Sequence, residues 1–119
     1  MESILTSIKR LLGITEEDDS FDMEIIMLIN SAFVNLQQLG VGPSEGFSIE
    51  DDTATWEDFL GDDKAVHMVK NFIWLKVKMV WDPPTSSFVM DAMKHEIAQD
   101  EWRLMVHTET FKSTEEATK

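Results

Sequence analysis

Apolar residues recur along this chain at helical spacing, most persistently between Asp63 and Ser87. That stretch predicts one helix from about Lys64 to Trp81, stopped by Asp82-Pro83-Pro84, because proline removes an amide donor and clashes with the preceding turn. Its apolar positions fall into two seams: Val66, Val69, Ile73, Val77 and Val80 in one, Met68, Phe72, Leu75 and Met79 in the other. Together they cover roughly 200° of arc, where a surface helix needs about 100°. One side can pack on its own chain, and the excess predicts that another body covers the rest. Lys76 points into the middle of this arc and is a candidate buried ion pair. It is expected to snorkel or to meet a carboxylate from this chain or a neighbouring copy, because an unpaired buried charge is costly.

The rest of the chain reads as three more helices and a long connection. Ile4, Leu5, Ile8, Leu11 and Leu12 predict a short amphipathic helix capped by Gly13. After an acidic linker, Asp19 or Ser20 is placed to cap a second helix from about Phe21 to Gln38. Its inner stripe is Phe21, Ile25, Leu28, Ile29, Ala32, Phe33 and Leu36, with Met23, Met27 and Val34 on the opposite side. Residues 44–62 form an acidic connection in which 47–49 and 53–56 have the composition of a small β-hairpin, with Trp56, Phe59 and Leu60 pinning it to the body. Ser86 or Ser87 is placed to cap a last helix to about His107, with Val89, Met90, Met93, Ile97 and Leu104 inward and Ala98, Trp102, Met105 and Val106 outward. The expected fold is all-α: a small bundle of about four helices with a long acidic loop. Residues 1–107 form one domain and residues 108–119 a flexible tail.

Second apolar or aromatic strips thus occur on three helices, the central one contributing Trp74 and Trp81 beside Lys78. Several such strips in one small domain point to self-association or a partner. The candidate interface residues are Met23, Met27, Val34, Trp74, Lys78, Trp81, Trp102, Arg103 and Met105.

Composition narrows the function. The 119 residues suffice for one domain, and 43% of them are hydrophobic. There is no cysteine, which rules out disulfides and thiolate metal sites and suits a reducing compartment. Neither a signal peptide nor a membrane span is expected. The net charge of −13 is unevenly placed: residues 11–63 hold fourteen acids and no Lys or Arg, whereas residues 64–119 hold eight acids and eight bases. Such a chain should bind bare DNA poorly, since affinity for phosphates comes from Lys and Arg. The acids read either as a solubilising surface or as one that repels DNA or docks on a basic partner.

No reaction centre emerges. His95-Glu96 begins like a zinc-protease helix, but Gln99 stands where the second histidine would be. The histidines are scattered, and Asp51-Asp52 and Asp62-Asp63 lack calcium-loop spacing. Glu96, Asp100 and Glu101 read as a solvated face, with Lys94 or Arg103 as pairing partners. The chain is expected not to be an enzyme and to need neither metal nor cofactor.

Several stretches together carry a family resemblance. They are Ser7-Ile8-Lys9-Arg10-Leu11-Leu12-Gly13-Ile14; Ile29-Asn30-Ser31 leading to Leu39-Gly40-Val41-Gly42-Pro43; Gly46-Phe47-Ser48-Ile49; Trp56 and Phe59; Lys76-Val77-Lys78 running into Asp82-Pro83-Pro84-Thr85-Ser86-Ser87; and Glu101-Trp102-Arg103-Leu104. In this order, over about residues 4–107, the chain resembles the head–tail connector, or neck adaptor, proteins of long-tailed bacteriophages and prophages. The resemblance implies a small helical protein at the head–tail junction of the virion, assembled in the bacterial host cytoplasm. It implies a homo-oligomeric ring, usually twelve-fold, between the portal protein and a stopper or tail-completion protein. DNA would pass through the bore only as cargo, with no membrane involved. The fourteen acids of residues 11–63 suggest that this segment, or part of it, lines or rims that bore, and the last helix, with Trp102, Arg103 and Met105 and together with the tail, is expected to dock on the portal, Glu101 with Arg103 being alternatively an intrachain pair. The competing readings are an acidic DNA mimic that inhibits a DNA-binding enzyme, a carboxylate metal hydrolase and a DNA-binding packaging subunit.

Overall fold

A computed structural model of the chain describes residues 2–61 and 63–117, with side chains through Thr108. Five helices are present among these residues: α1 (Ile4–Leu11), α2 (Asp22–Gln38), α3 (Trp56–Leu60), α4 (Val66–Trp81) and α5 (Ser87–Ala117). Two of them end in the same way. Gly13 and Gly40, both at positive φ, follow α1 and α2, and the next amides, of Ile14 and Val41, reach back to the carbonyls of Lys9 and Leu36 at 2.9 Å each. This closure satisfies carbonyls that a helix end leaves open, and it needs a residue tolerant of the left-handed region. The cap expected at Asp19 or Ser20 is absent: α2 starts after Phe21 with no side-chain cap, and Asp18 Oδ1 instead accepts from the Ser20 amide at 3.1 Å.

α4 is the middle of three layers. It packs on α2 on one side and α5 on the other, and α1 packs on both α2 and α4. This corrects the expectation that another body must cover the surplus of apolar arc. The chain's own helices bury Val69, Phe72, Ile73, Leu75 and Val77, and only Val80 is left largely open, at 67% exposure. A central helix needs apolar residues on two faces because it has two neighbours. The result is a thin slab with extents of 49 × 35 × 20 Å.

No β-hairpin forms in the acidic connection, and no strand occurs among the described residues; a single antiparallel bridge joins Ser3 to Thr55. The side chain of Asn30 supplies both backbone partners a strand would have given Ile49, accepting from its amide at 2.8 Å and donating to its carbonyl at 3.0 Å. Thr55 and Asp58 then form a reciprocal capping box that turns the chain into α3. Trp56 and Phe59 are buried as expected, and Phe59 packs with Phe33 and Phe47 at ring-centroid distances of 4.7 and 5.1 Å.

α5 begins after Ser86, whose hydroxyl accepts from the Val89 amide at 3.4 Å, and it runs to Ala117 rather than ending near His107. Once nucleated, a helix adds one hydrogen bond per residue without needing an apolar stripe, so the fading of that stripe misplaces its end. Residues 118–119, and the side chains from residue 109, in the segment expected to be a tail, lie outside the described residues.

Candidate interaction surfaces

Two helices of the slab carry exposed apolar strips. On α2, Met23, Met27 and Val34 are 77%, 65% and 54% exposed, opposite the buried stripe of Ile25, Ile29, Ala32, Phe33 and Leu36. On α5, Phe88, Trp102, Met105 and Val106 are exposed, and Arg103 is exposed beside them. The third strip is mostly covered: Trp74 and Trp81 are half-buried against the core, and Phe21 meets Trp81 edge-on at 5.0 Å. Trp74 Nε1 is nevertheless buried without an acceptor among the described residues. Lys78 pairs with Asp82 one turn on, at 3.4 Å, which places a cation near the carbonyl end of α4.

Grooves flank the end of α4. One, of about 320 Å³, is lined by Glu24, Met27 and Leu28 of α2 and by Val80 and Trp81 of α4. Another, of about 350 Å³, is lined by Lys76, Met79 and Val80 of α4 and by Lys94 and Ile97 of α5. Lys76 is half-buried, with its Nζ 5.9 Å from the Phe72 ring centroid, and among the described residues no carboxylate lies within ion-pair distance of it.

The lysine that the fold does bury with an acid is Lys9, which sequence reasoning passed over. It is 3% exposed, lies 2.9 Å from Asp22 Oδ1 and donates to the Glu16 carbonyl at 3.1 Å. The contact with Asp22 is a close charge pair rather than an aligned hydrogen bond. Its spacing from Leu5, Ile8 and Leu12 put Lys9 on the inner face of α1. Asp100 also departs from expectation. It is 3% exposed rather than part of a solvated face, because it continues the inner stripe of Met93, Ile97 and Leu104. Asn71 Nδ2 donates to Asp100 Oδ2 at 2.6 Å and to Glu96 Oε1 at 3.0 Å, joining α4 to α5. Burial pushes the Asp100 carboxyl above the usual range; Asn71 pulls it back in part, and the Glu96 charge adds to the rise.

At the other end of α4 a pocket of about 360 Å³ is bordered by Gly42, Phe59, Leu60, Asp63, Leu104 and His107. His107 Nε2 and Asp63 Oδ1 stand 3.2 Å apart there, and the one side-chain hydroxyl among the lining residues, of Thr108, donates to the Leu104 carbonyl at 2.9 Å. Among the described residues no group of three or more His, Asp or Glu is placed to hold a metal ion, and no helix is long and apolar enough to cross a membrane.

These features describe a small all-α protein marked out by its surfaces, with exposed apolar strips on two outer helices and shallow grooves between them. A family model described as phage connector protein matches residues 4–110, so the chain belongs to that family. No curated protein and no solved structure matches the chain. The family is a structural one of the phage particle, and its members associate with other phage head and tail proteins.

Proposed function

We propose that this protein is a neck adaptor that forms a ring, twelve-fold in the virion, between the portal and the stopper or tail-completion protein. DNA passes through the bore, no reaction is catalysed, and assembly takes place in the host cytoplasm. The observation that carries the reading beyond family membership is the pair of exposed apolar strips on α2 and α5. They lie on separate outer layers of a slab whose core is already filled. An apolar surface left over after the core is complete is the mark of a protein packed between neighbours. Met23, Met27, Val34, Trp102, Arg103 and Met105, with Trp74, Lys78 and Trp81 of the central helix, take part in contacts with adjacent subunits or the portal. Lys76 meets an acid from a neighbouring subunit.

The acid-only stretch of residues 11–63 faces or rims the bore, where its field keeps DNA from adhering. An inhibitory DNA mimic would need carboxylates spaced like phosphates on a rigid face. Here Glu16 and Glu17 lie in a turn, and Glu50, Asp51 and Asp52 at a bend. Electron microscopy of the protein alone and mixed with its portal tests the proposal. Rings seated on the portal are expected. A protein that stays dispersed with no affinity for the portal would overturn it, and rings with every one of these acids on the outer wall would remove the bore assignment alone.

A further inference from the structure

The grooves at the end of α4 share Val80 and form one continuous face across the three layers, from α2 over α4 to α5. Its centre is apolar: Met27 and Val80 are 65% and 67% exposed, and Trp81, Met79 and Ile97 lie beside them. Its charges are separated. Glu24 stands on the α2 side, and Lys76 and Lys94 stand on the α4–α5 side. Among the described residues none of these three charges has an ion-pair partner within the chain. An apolar centre with opposite charges at opposite margins is complementary to itself. A two-fold rotation about Val80 lays Glu24 of one copy over Lys76 and Lys94 of the other, twice over, and stacks the apolar centres.

We infer that in the free protein this face pairs isologously with the same face of a second copy, giving a two-fold dimer before any ring forms. Charge complementarity selects this occupant. The chain carries a net charge of −13, so most approaches of two copies set acid against acid, whereas this face sets Glu24, the acid lining it, against Lys76 and Lys94 of the other copy. The pairing is independent of the ring and concerns the state from which a ring is recruited. Lys76 gains a carboxylate from a neighbour in either case, but here that carboxylate is Glu24.

Sedimentation equilibrium of the full chain, with variants on the face, provides the test. The wild type is expected to be dimeric. E24K alone, and K76E/K94E together, should each raise the dissociation constant at least about tenfold, and the triple variant E24K/K76E/K94E should restore it by exchanging the two sides of each pair. All these positions are at least partly exposed, so unchanged circular-dichroism melts verify folding. The chain has no native cysteine, so V80C isolates the symmetry: residues on a two-fold axis meet their own copies and oxidise to a covalent dimer, whereas a head-to-tail contact places the introduced thiol against a face without one. A monomeric wild type, charge variants that dimerise as before, or V80C that fails to cross-link would each overturn the dimer. Rings on the portal would stand regardless, which separates this failure from failure of the neck-adaptor reading.

Discussion

Removing the carboxylate of Asp22 should cost far more than removing the lysine it faces. Lys9 is 3% exposed, and its ammonium has two partners, Asp22 Oδ1 at 2.9 Å and the Glu16 carbonyl at 3.1 Å. At an effective dielectric of about 20, charges at that distance attract by about 6 kcal/mol, before either ion's desolvation is subtracted. The Asp22 side chain is 29% exposed, so water screens part of this, and the Glu16 carbonyl stays in place after the change. We therefore expect Asp22→Ala to destabilise by about 3 kcal/mol, the lower end for stranding a buried charge. In a domain of this size that lowers the melting temperature by about 10 °C. Lys9→Met keeps the length and apolar stem of the side chain and leaves Asp22 a route to water, so its effect should stay within about 1 kcal/mol. Urea unfolding followed by tryptophan fluorescence measures both. An Asp22→Ala cost under about 1 kcal/mol, or a Lys9→Met cost as large as that of Asp22→Ala, would refute this account of the pair.

Other outcomes follow from the same structure. The Asp100 carboxyl is raised above its ordinary value of 3.8, so between that value and the raised one the folded state holds the proton more firmly than the unfolded chain. The stability this contributes is complete below the ordinary value and is lost as pH rises through the raised one. Asp100→Asn should remove that fall and raise the urea midpoint at neutral pH, while still offering Asn71 an acceptor. Gly42 has φ +85°, and a Cβ there would run into the Phe59 ring, so Gly42→Ala should cost about 3 kcal/mol by thermal melting. Gly13→Ala, at φ +81° in open space, should cost about 1 kcal/mol. Leu104→Ala empties a fully buried position and should cost about 3 kcal/mol, whereas Trp102→Ala, at 62% exposure, should leave the melt nearly unchanged.

The long helices were legible because their apolar residues repeat over many turns; Ile25, Ile29, Ala32, Phe33 and Leu36 of α2 are buried as their spacing requires. α3 was not, because its five residues are too few for a period to show. The readable signal was Thr55 followed three positions later by Asp58, a capping box inside a segment whose Thr and Trp residues suggested a strand. Lys9 was passed over and Asp100 misjudged for another reason. Both sit on the inner stripe by spacing, but a charged residue type argues for the surface, and only the partners Asp22 and Asn71, brought in from other helices, decide the matter. The strips on α2 and α5 were readable as apolar residues opposite the core stripe. The grooves were not, because each is made by two helices whose relative placement no local pattern encodes.

The central position of α4 has a mechanical consequence. Its two flanking helices pack chiefly on it, so a load applied to either outer edge of the slab passes mainly through this rod to reach the opposite edge. Tightly packed interiors compress little, and a helix so clamped transmits displacement rather than absorbing it. Whatever grips the two edges is thereby put in mechanical communication, and the stiffness of the link resides in Phe72, Ile73, Leu75 and Val77 rather than at the points of grip.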